Sequence, residues 1–447
     1  MRQAKTLLAA FLVVLMLISV FTACSAVRSE TALADAASDE PSKNEGVIIN
    51  FLCVNENYTQ AMRDCIARWE EKTGNKVNVQ LYPASAYITV LSTQMMAGGT
   101  VDLFRSDGVK NAERKWSLEY FYDLSNEPWV SRLADGVQDM IASSDGTIRG
   151  IPYMTNAYFG MMYNKRIFEQ AGITQLPATW DEFLDACEKI KTNTEAIPVN
   201  ISAANGSEFC ATHLMHGLIN NVYTTRGVAG AKKLFEDLNT NKVHYADVPE
   251  YKVALEQIVE LRDKGYITED FITSTYEMAV ERFGTGAVAM YPCADYILEP
   301  LLCAYPEIED DIGFFPTPYQ DTKGTLAICT GVGLHVASNA PHLEEALDFM
   351  DYYASQENQI LFNEATPGLN LFSDVPVSNN VITQYYSDYA DVSFTALDET
   401  GVVTWPEIET RRIIQDLLLG EVTPEGMLEK IDQAAAVIGK KLGIEGW

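Results

Sequence analysis

The stretch "VIINFLCVNENYTQAMRDCIARWEEKTGNKVNVQLY", residues 47–82, decides the fold class. It opens on a short run, 47–54, in which Asn50 alone is polar. A brief, almost wholly apolar run reads as a strand covered on both faces, as parallel strands are. Tyr58, Met62, Cys65, Ile66 and Trp69 then recur at helical spacing, and Gly74 closes that helix. "KVNVQLY", 76–82, alternates as a strand. Residues 86–96 read as a second helix, stopped by Gly98 and Gly99, and "VDLF", 101–104, as another short buried strand. Successive strand–helix units imply a parallel sheet with right-handed crossovers, and so an α/β protein.

The same grammar continues downstream. "GTIRGIPYM", 146–154, has two glycines flanking an apolar turn and suggests a hairpin. "YFGMMYN", 158–164, is a strand running into a helix from Lys165 that ends near Gly172. In "ATWDEF", 178–183, Thr179 caps the next helix, and Glu182 is placed to reach back to the Thr179 amide as a capping box. Phe183, Ala186, Cys187 and Ile190 continue its apolar face. "YKVALEQIVELRDKGYI", 251–267, is an amphipathic helix closed at Gly265. "FGTGAVAMYP", 283–292, is a strand entered through glycines, and "DIGFFPTP", 311–318, a strand broken by prolines. "GVGLHVAS", 331–338, is a strand with a helix after it. Two more helices close the chain, "PEIETRRIIQDLLLG", 406–420, and "TPEGMLEKIDQAAAVIGKKLG", 423–443.

The first residues bear on compartment. Arg2 and Lys5 precede an apolar run over 7–20 and then "FTAC", 21–24: the charged start, apolar middle and small-residue exit of a secretory signal. The run is short of the about 20 residues a bilayer span needs, although an uncleaved anchor is the alternative reading. "FTAC" resembles a bacterial lipobox, with Phe21 where Leu is usual; the resemblance implies that Cys24 is lipidated and becomes the mature N-terminus. Residues 25–46 are rich in Ala, Ser, Asp and Glu and too poor in large apolar side chains to order themselves. As a flexible tether of about 22 residues they would reach roughly 25 Å.

From residue 47 onward about 400 residues, in a chain with 47% hydrophobic content, suffice for two or three core-sized units. Acidic residues number 62 against 32 basic ones, a net charge of −30. That field repels nucleic acid and disfavours phosphorylated or carboxylate-rich ligands. Cys53, Cys65, Cys187, Cys210, Cys293, Cys303 and Cys329 show no paired spacing and sit mostly in apolar surroundings. They read as free thiols packed as small hydrophobes.

The sequence carries no visible nucleophile motif. Glu56 and Asp107 can be posed as a carboxylate pair for glycoside hydrolysis, at a separation sequence does not fix. His213 and His216 in "HLMH" are spaced to share a metal on a helix, with no third ligand apparent, so a structural pair is the plainer reading. No cofactor is implied.

Taken in order, "IPY", "YNKRIFEQAGI", "LPATWDEF", "FGTGAVAM", "IGFFPTP", "GVGLHVASNAPHLEEALDFMDYYAS" and "GEVTPEGMLEKIDQAA" resemble the extracellular solute-binding proteins of ABC transporters. The nearest likeness is to the sugar-binding, maltose-binding-protein-like branch, over nearly all of the chain after residue 47. The resemblance implies two α/β lobes around a ligand cleft, with hinge crossings near 153–157, 330–333 and 372–376. Residues 1–23 would be the signal peptide and 24–46 the lipidated cysteine and tether. Lobe one would be 47–155 plus 331–373, and lobe two 156–330 plus 374–447. It also implies a lipid-anchored monomer on the extracytoplasmic face of the cell membrane that binds a small solute, most readily a carbohydrate, and docks on permease subunits without catalysis. A polyamine, metal or peptide ligand is the alternative within this fold. Carried over by position, the ligand residues would be Asn55, Glu56 and Tyr58 after the first strand, and Arg105 and Asp107 after "VDLF". Tyr153, Asn156 and Tyr158 would lie at the first crossing, and Phe209, Tyr296 and Trp405 on the second lobe. Tyr296, in "ADY", stands where relatives often have tryptophan. Aromatic faces suit the C–H face of a sugar, and Asp, Asn, Glu and Arg suit its hydroxyls.

Overall fold

The computed structural model describes residues 46–106, 108–109, 112–134, 137–143, 145–153, 157–293, 297–329, 332–365, 371–376, 381–395 and 402–447. The strands β1 (Ile48–Val54), β2 (Lys76–Tyr82), β3 (Leu103–Ser106) and β4 (Ile151–Pro152) come first. The next group is β5 (Ala157–Asn164), β6 (Ile197–Val199), β7 (Val288–Cys293), β8 (Ile312–Phe315), β9 (Thr317–Tyr319) and β10 (Thr322–Cys329). Last come β11 (Gly333–Val336) and β12 (Ser393–Thr395).

Two sheets result. The first has the order β2-β1-β3-β11-β4. β1 runs parallel to β2, with Ile48 opposite Lys76, and to β3, with Phe51 opposite Leu103. β11 is antiparallel to both β3 and β4, so the sheet is mixed, not all-parallel as the early repeats alone suggest. The apolar run of β1 is explained by its two faces. Ile49, Phe51 and Cys53 pack with Met62, Cys65, Ile66 and Trp69 of the helix Gln60–Thr73. Leu52 and Val54 point the other way, onto Tyr87, Leu91 and Met95 of the helix Ala84–Ala97. β3 begins two residues later than "VDLF" suggests, because Asp102 is a buried tie. Its carboxylate accepts the N–H groups of Asn50 (2.8 Å) and His342 (2.8 Å).

The second sheet has the order β12-β10-β5-β7-β6, with β8 also on β5 and β9 on β10. β5 is its axis and is likewise covered on both sides. Met161 enters one core, and Met162 enters another with Phe283, Tyr291 and Leu301. The helix Trp180–Asn193 buries Phe183, Ala186, Cys187 and Ile190, the face expected from its sequence.

Local expectations are corrected at three places. Thr179 does cap the helix, accepting Glu182 N–H at 3.2 Å, but the Glu182 carboxylate takes the Ala178 N–H (2.8 Å) instead of that of Thr179. Gly284 lies inside the helix Tyr276–Thr285, where a Cβ would meet the Tyr305 ring at 2.2 Å; only Gly286 serves as the turn into β7. The turn expected between Gly146 and Gly150 closes earlier, with Ser143 N–H donating to Thr147 O (2.9 Å) and Ala142 bridging Ile148. Gly150 instead makes room for the His335 ring.

The chain passes between the sheets along neighbouring segments. Ile151 pairs with Leu334 in the first sheet, and Ala157 pairs with Cys329 in the second. Farther on, Phe372 and Val375 pack in the first sheet's core, and the Tyr385 ring lies tilted against Phe314 of the second, 4.9 Å between centroids. Cys53, Cys65, Cys187 and Cys210 are buried thiols outside any disulfide, and Cys303 is an exposed one. Burial pushes the Cys65 and Cys210 thiols up to about 12. Among the described residues no helix is long and apolar enough to cross a membrane.

Candidate functional site

Strand direction fixes which sheet edges meet the crossings. β3 ends at Ser106, which pairs with Gly333, the first residue of β11 after a crossing. β1 is parallel to β3, so the loop after β1 lies on that edge too. In the second sheet β5 starts just after a crossing and is antiparallel to β7, with Gly160 opposite Cys293. The carboxyl ends of β7 and of its parallel neighbour β6 therefore share that edge. Open α/β sheets bind ligands at such carboxyl ends. A shallow hollow lined by Ile167, Thr192, Glu195 and Gly286 lies at the opposite, amino end of β6, away from the crossings.

On the first sheet Asn55 opens a single turn, Asn55–Asn57, and is exposed. Tyr58 is half-buried; the Arg63 guanidinium sits 5.1 Å from its ring and donates to its carbonyl at 2.6 Å. Burial raises the Tyr58 hydroxyl above its ordinary pKa. Arg105 is nearly buried, with its guanidinium 5.1 Å from the Tyr87 ring. The Tyr87 hydroxyl accepts the Arg105 N–H (3.0 Å) and donates toward Arg105 O (2.8 Å). Tyr153 is fully buried. Its hydroxyl donates to Asn57 O (3.2 Å) and lies 3.4 Å from Cys53 Sγ, which ties the first crossing to the loop after β1. Burial holds that hydroxyl well above its usual pKa.

On the second sheet the helix Phe209–Ile219 begins at the crossing edge with a half-buried Phe209. Its ring lies 6.0 Å from that of Tyr276 and 5.8 Å from that of His213. His213 and His216 are both buried, with the Phe159 ring 5.0 Å from each. Burial, then the neighbouring His216 and Arg411, lowers His213 to about 3, so it is neutral. Among the described residues no group of His, Cys, Asp and Glu is arranged to hold a metal.

Trp405 is 3% exposed. Its ring lies 6.4 Å from His216 and 5.5 Å from Tyr245, inside the core, and its indole N–H donates to Glu407 Oε2 at 2.8 Å. The other Glu407 oxygen accepts Arg411 Nε–H at 2.8 Å, and His216 Nε2 is 3.7 Å from Oε2. The Arg411 guanidinium reaches the Phe209 ring at 6.0 Å. Burial alone would raise Glu407, but Arg411 and His216 outweigh it and hold the carboxyl well below the usual range. The second sheet's edge thus presents Tyr276, Phe209 and Arg411 backed by a fixed carboxylate.

The candidates Cys24, Asp107, Asn156 and Tyr296 fall outside the described residues, and so do the side chains of Glu56 and Tyr158. Of the rest, Asn55, Tyr58 and Arg105 gather on one sheet edge and Phe209 stands on the other, with Tyr153 and Trp405 packed behind them. Glu407 and Arg411 were not anticipated. Their signal was the acid–base pair four apart on the helix just after Trp405-Pro406.

Solved structures of two-lobed solute-binding proteins share this architecture. A chitin oligosaccharide binding protein superimposes with a TM-score of 0.75 at 20% identity, over 89% of this chain and all of that one. The solute-binding protein RafE in complex with raffinose gives 0.73 at 20%, over 88% of this chain and 100% of that one. The fold is therefore the two-lobed binding-protein fold, with a cleft between the lobes. Residues 55–360 match the family model described as bacterial extracellular solute-binding protein, and the chain belongs to that family. A multiple sugar-binding protein of Streptococcus mutans is 23% identical over 326 residues, 72% of this chain and 74% of that protein.

Proposed function

We propose that the protein captures a sugar or oligosaccharide between its lobes and delivers it to the permease of an ABC transporter, without chemistry on the ligand. The observation that carries this is the second lobe's edge, where Phe209 and Tyr276 offer aromatic faces beside the charged groups of Arg411 and Glu407. Sugars need that combination, since their C–H faces are apolar and their rims are hydroxyls. Relatives named for multiple sugars, raffinose and chitin oligosaccharides support the reading.

Asn55, Tyr58 and Arg105 would meet the ligand from the first lobe, with Glu56 and Asp107 beside them. Asn156, Tyr158 and Tyr296 would line the hinge side, and Phe209 the second lobe. Tyr153 and Trp405 would hold these groups from behind. The lobes divide at 155/156, 330/331 and 373/374. Cys24 carries the lipid that keeps a monomer at the outer face of the membrane, and residues 25–46 let it reach the permease.

A thermal-shift screen across sugars, polyamines, amino acids and divalent metals tests the reading. A ligand at 100 times its Kd stabilises by about 2.7 kcal/mol. A shift with a saccharide is expected; a shift confined to a polyamine or a metal would replace the sugar assignment.

A further inference from the structure

We propose that Glu407 is a positioning residue for ligand binding: it holds the Arg411 guanidinium against the Phe209 ring, so that the two side chains act as one ligand-facing wall. This rests on the reading that the protein binds a saccharide.

The geometry assigns Glu407 two jobs at once. Oε2 takes the indole N–H of Trp405 and Oε1 takes Nε–H of Arg411, each at 2.8 Å. Trp405 is packed in the core, so the carboxylate is fixed from behind. Arg411 lies one turn along the helix Glu407–Leu419 and has 35% of its side chain exposed, against 20% for Glu407. Rigidity therefore passes from a buried ring, through a carboxylate, to a guanidinium that reaches solvent over Phe209. A guanidinium is a planar fork, and fixing its Nε sets the plane of the whole group. That plane decides whether a sugar resting on Phe209 meets its donors edge-on or not at all. A free arginine has several long-chain rotamers, and ordering them at the moment of binding costs affinity. The arrangement belongs to the 405–407–411 spacing.

Non-additivity separates positioning from mere fold support. The purified full-length protein is titrated calorimetrically with raffinose, stachyose and a chitin oligosaccharide, and the tightest of the three is the probe for the variants. Glu407→Gln keeps the shape but turns one accepting oxygen into a donor. It should weaken the probe about tenfold, the scale of one charge-assisted hydrogen bond. In an Arg411→Ala background the same substitution should have no further effect, because Glu407 acts through Arg411. Arg411→Lys keeps the charge without the planar fork and should lose about as much as Glu407→Gln, and it carries the test if Glu407→Gln fails to fold. Equal losses from Glu407→Gln in both backgrounds, or unchanged affinity in Glu407→Gln or Arg411→Lys, would overturn the proposal and leave sugar binding standing. Wild-type protein that binds none of the three sugars would remove the sugar reading and this proposal with it.

Discussion

The main-chain N–H of Tyr153 donates to the carbonyl of Val332 across 2.9 Å, so two of the strands that leave the first sheet leave it side by side. Just beyond, Ala157 and Cys329 are paired again in the second sheet. A rotation of one lobe against the other must bend both segments together between these two fixed points. Binding proteins that close on a ligand do so about a hinge of few residues. Small-angle scattering should show a smaller radius of gyration with bound sugar and unchanged secondary structure by circular dichroism. An identical radius with and without sugar would mean a rigid site.

Gly150 tests how tightly the first crossing is seated. A Cβ at that position would lie 2.4 Å from His335 Nδ1 and 2.8 Å from Leu334 O, and the latter is backbone. Gly150→Ala should cost about 1–3 kcal/mol by overpacking, read from urea denaturation. A loss within about 0.5 kcal/mol, the range of ordinary surface changes, would show that the His335 ring yields freely.

The buried histidines predict an acid-sensitive fold. Burial lowers His335 to about 4 and His213 to about 3, both below the ordinary histidine value of about 6.5. Between pH 6.5 and about 4 the unfolded chain takes up protons that the folded chain refuses. Stability is therefore full above pH 6.5 and falls as pH drops through that window, by up to about 1.4 kcal/mol per pH unit for each histidine. Denaturation at pH 7, 6 and 5 measures the slope, and His335→Gln should remove one histidine's share. A slope unaltered by that substitution would assign the acid sensitivity elsewhere.

Trp405 should behave as a core residue in unfolding. It is 3% exposed and packs near Tyr245 and His216. Trp405→Ala should cost about 3–5 kcal/mol, and it should also weaken sugar binding by releasing Glu407. A cost under about 1 kcal/mol by chemical denaturation would place the ring outside the core.

The sequence announced most of the strand–helix order because each element carries its own local signal. β1 is apolar on both faces, Gly74 and Gly420 end helices in the left-handed region, and Thr179 caps the helix that follows it. Long-range geometry left weaker traces. Nothing local to Glu182 says that Ala178 and not Thr179 supplies its donor, and nothing around Gly284 points to the Tyr305 ring of a later segment. Asn55, Tyr58 and Arg105 stand at strand ends, and strand ends are legible in sequence. The Glu407–Arg411 pair reads in sequence as an ordinary helix-surface ion pair. Its contact with Phe209, about two hundred positions earlier, exists only in the folded chain. Trp405 was marked by its place before a helix, but no local pattern reports that its ring turns inward to Tyr245.

Isothermal titration calorimetry of the purified protein with raffinose, stachyose and a chitin oligosaccharide, followed by recovery of the sugar, tests the central claim most directly. Saturable one-site binding of at least one of them is expected, with the sugar recovered intact and the heat signal weakened in Phe209→Ala. Saturable binding of a polyamine or a divalent cation with no heat from any sugar, or recovery of a cleaved sugar, would contradict it.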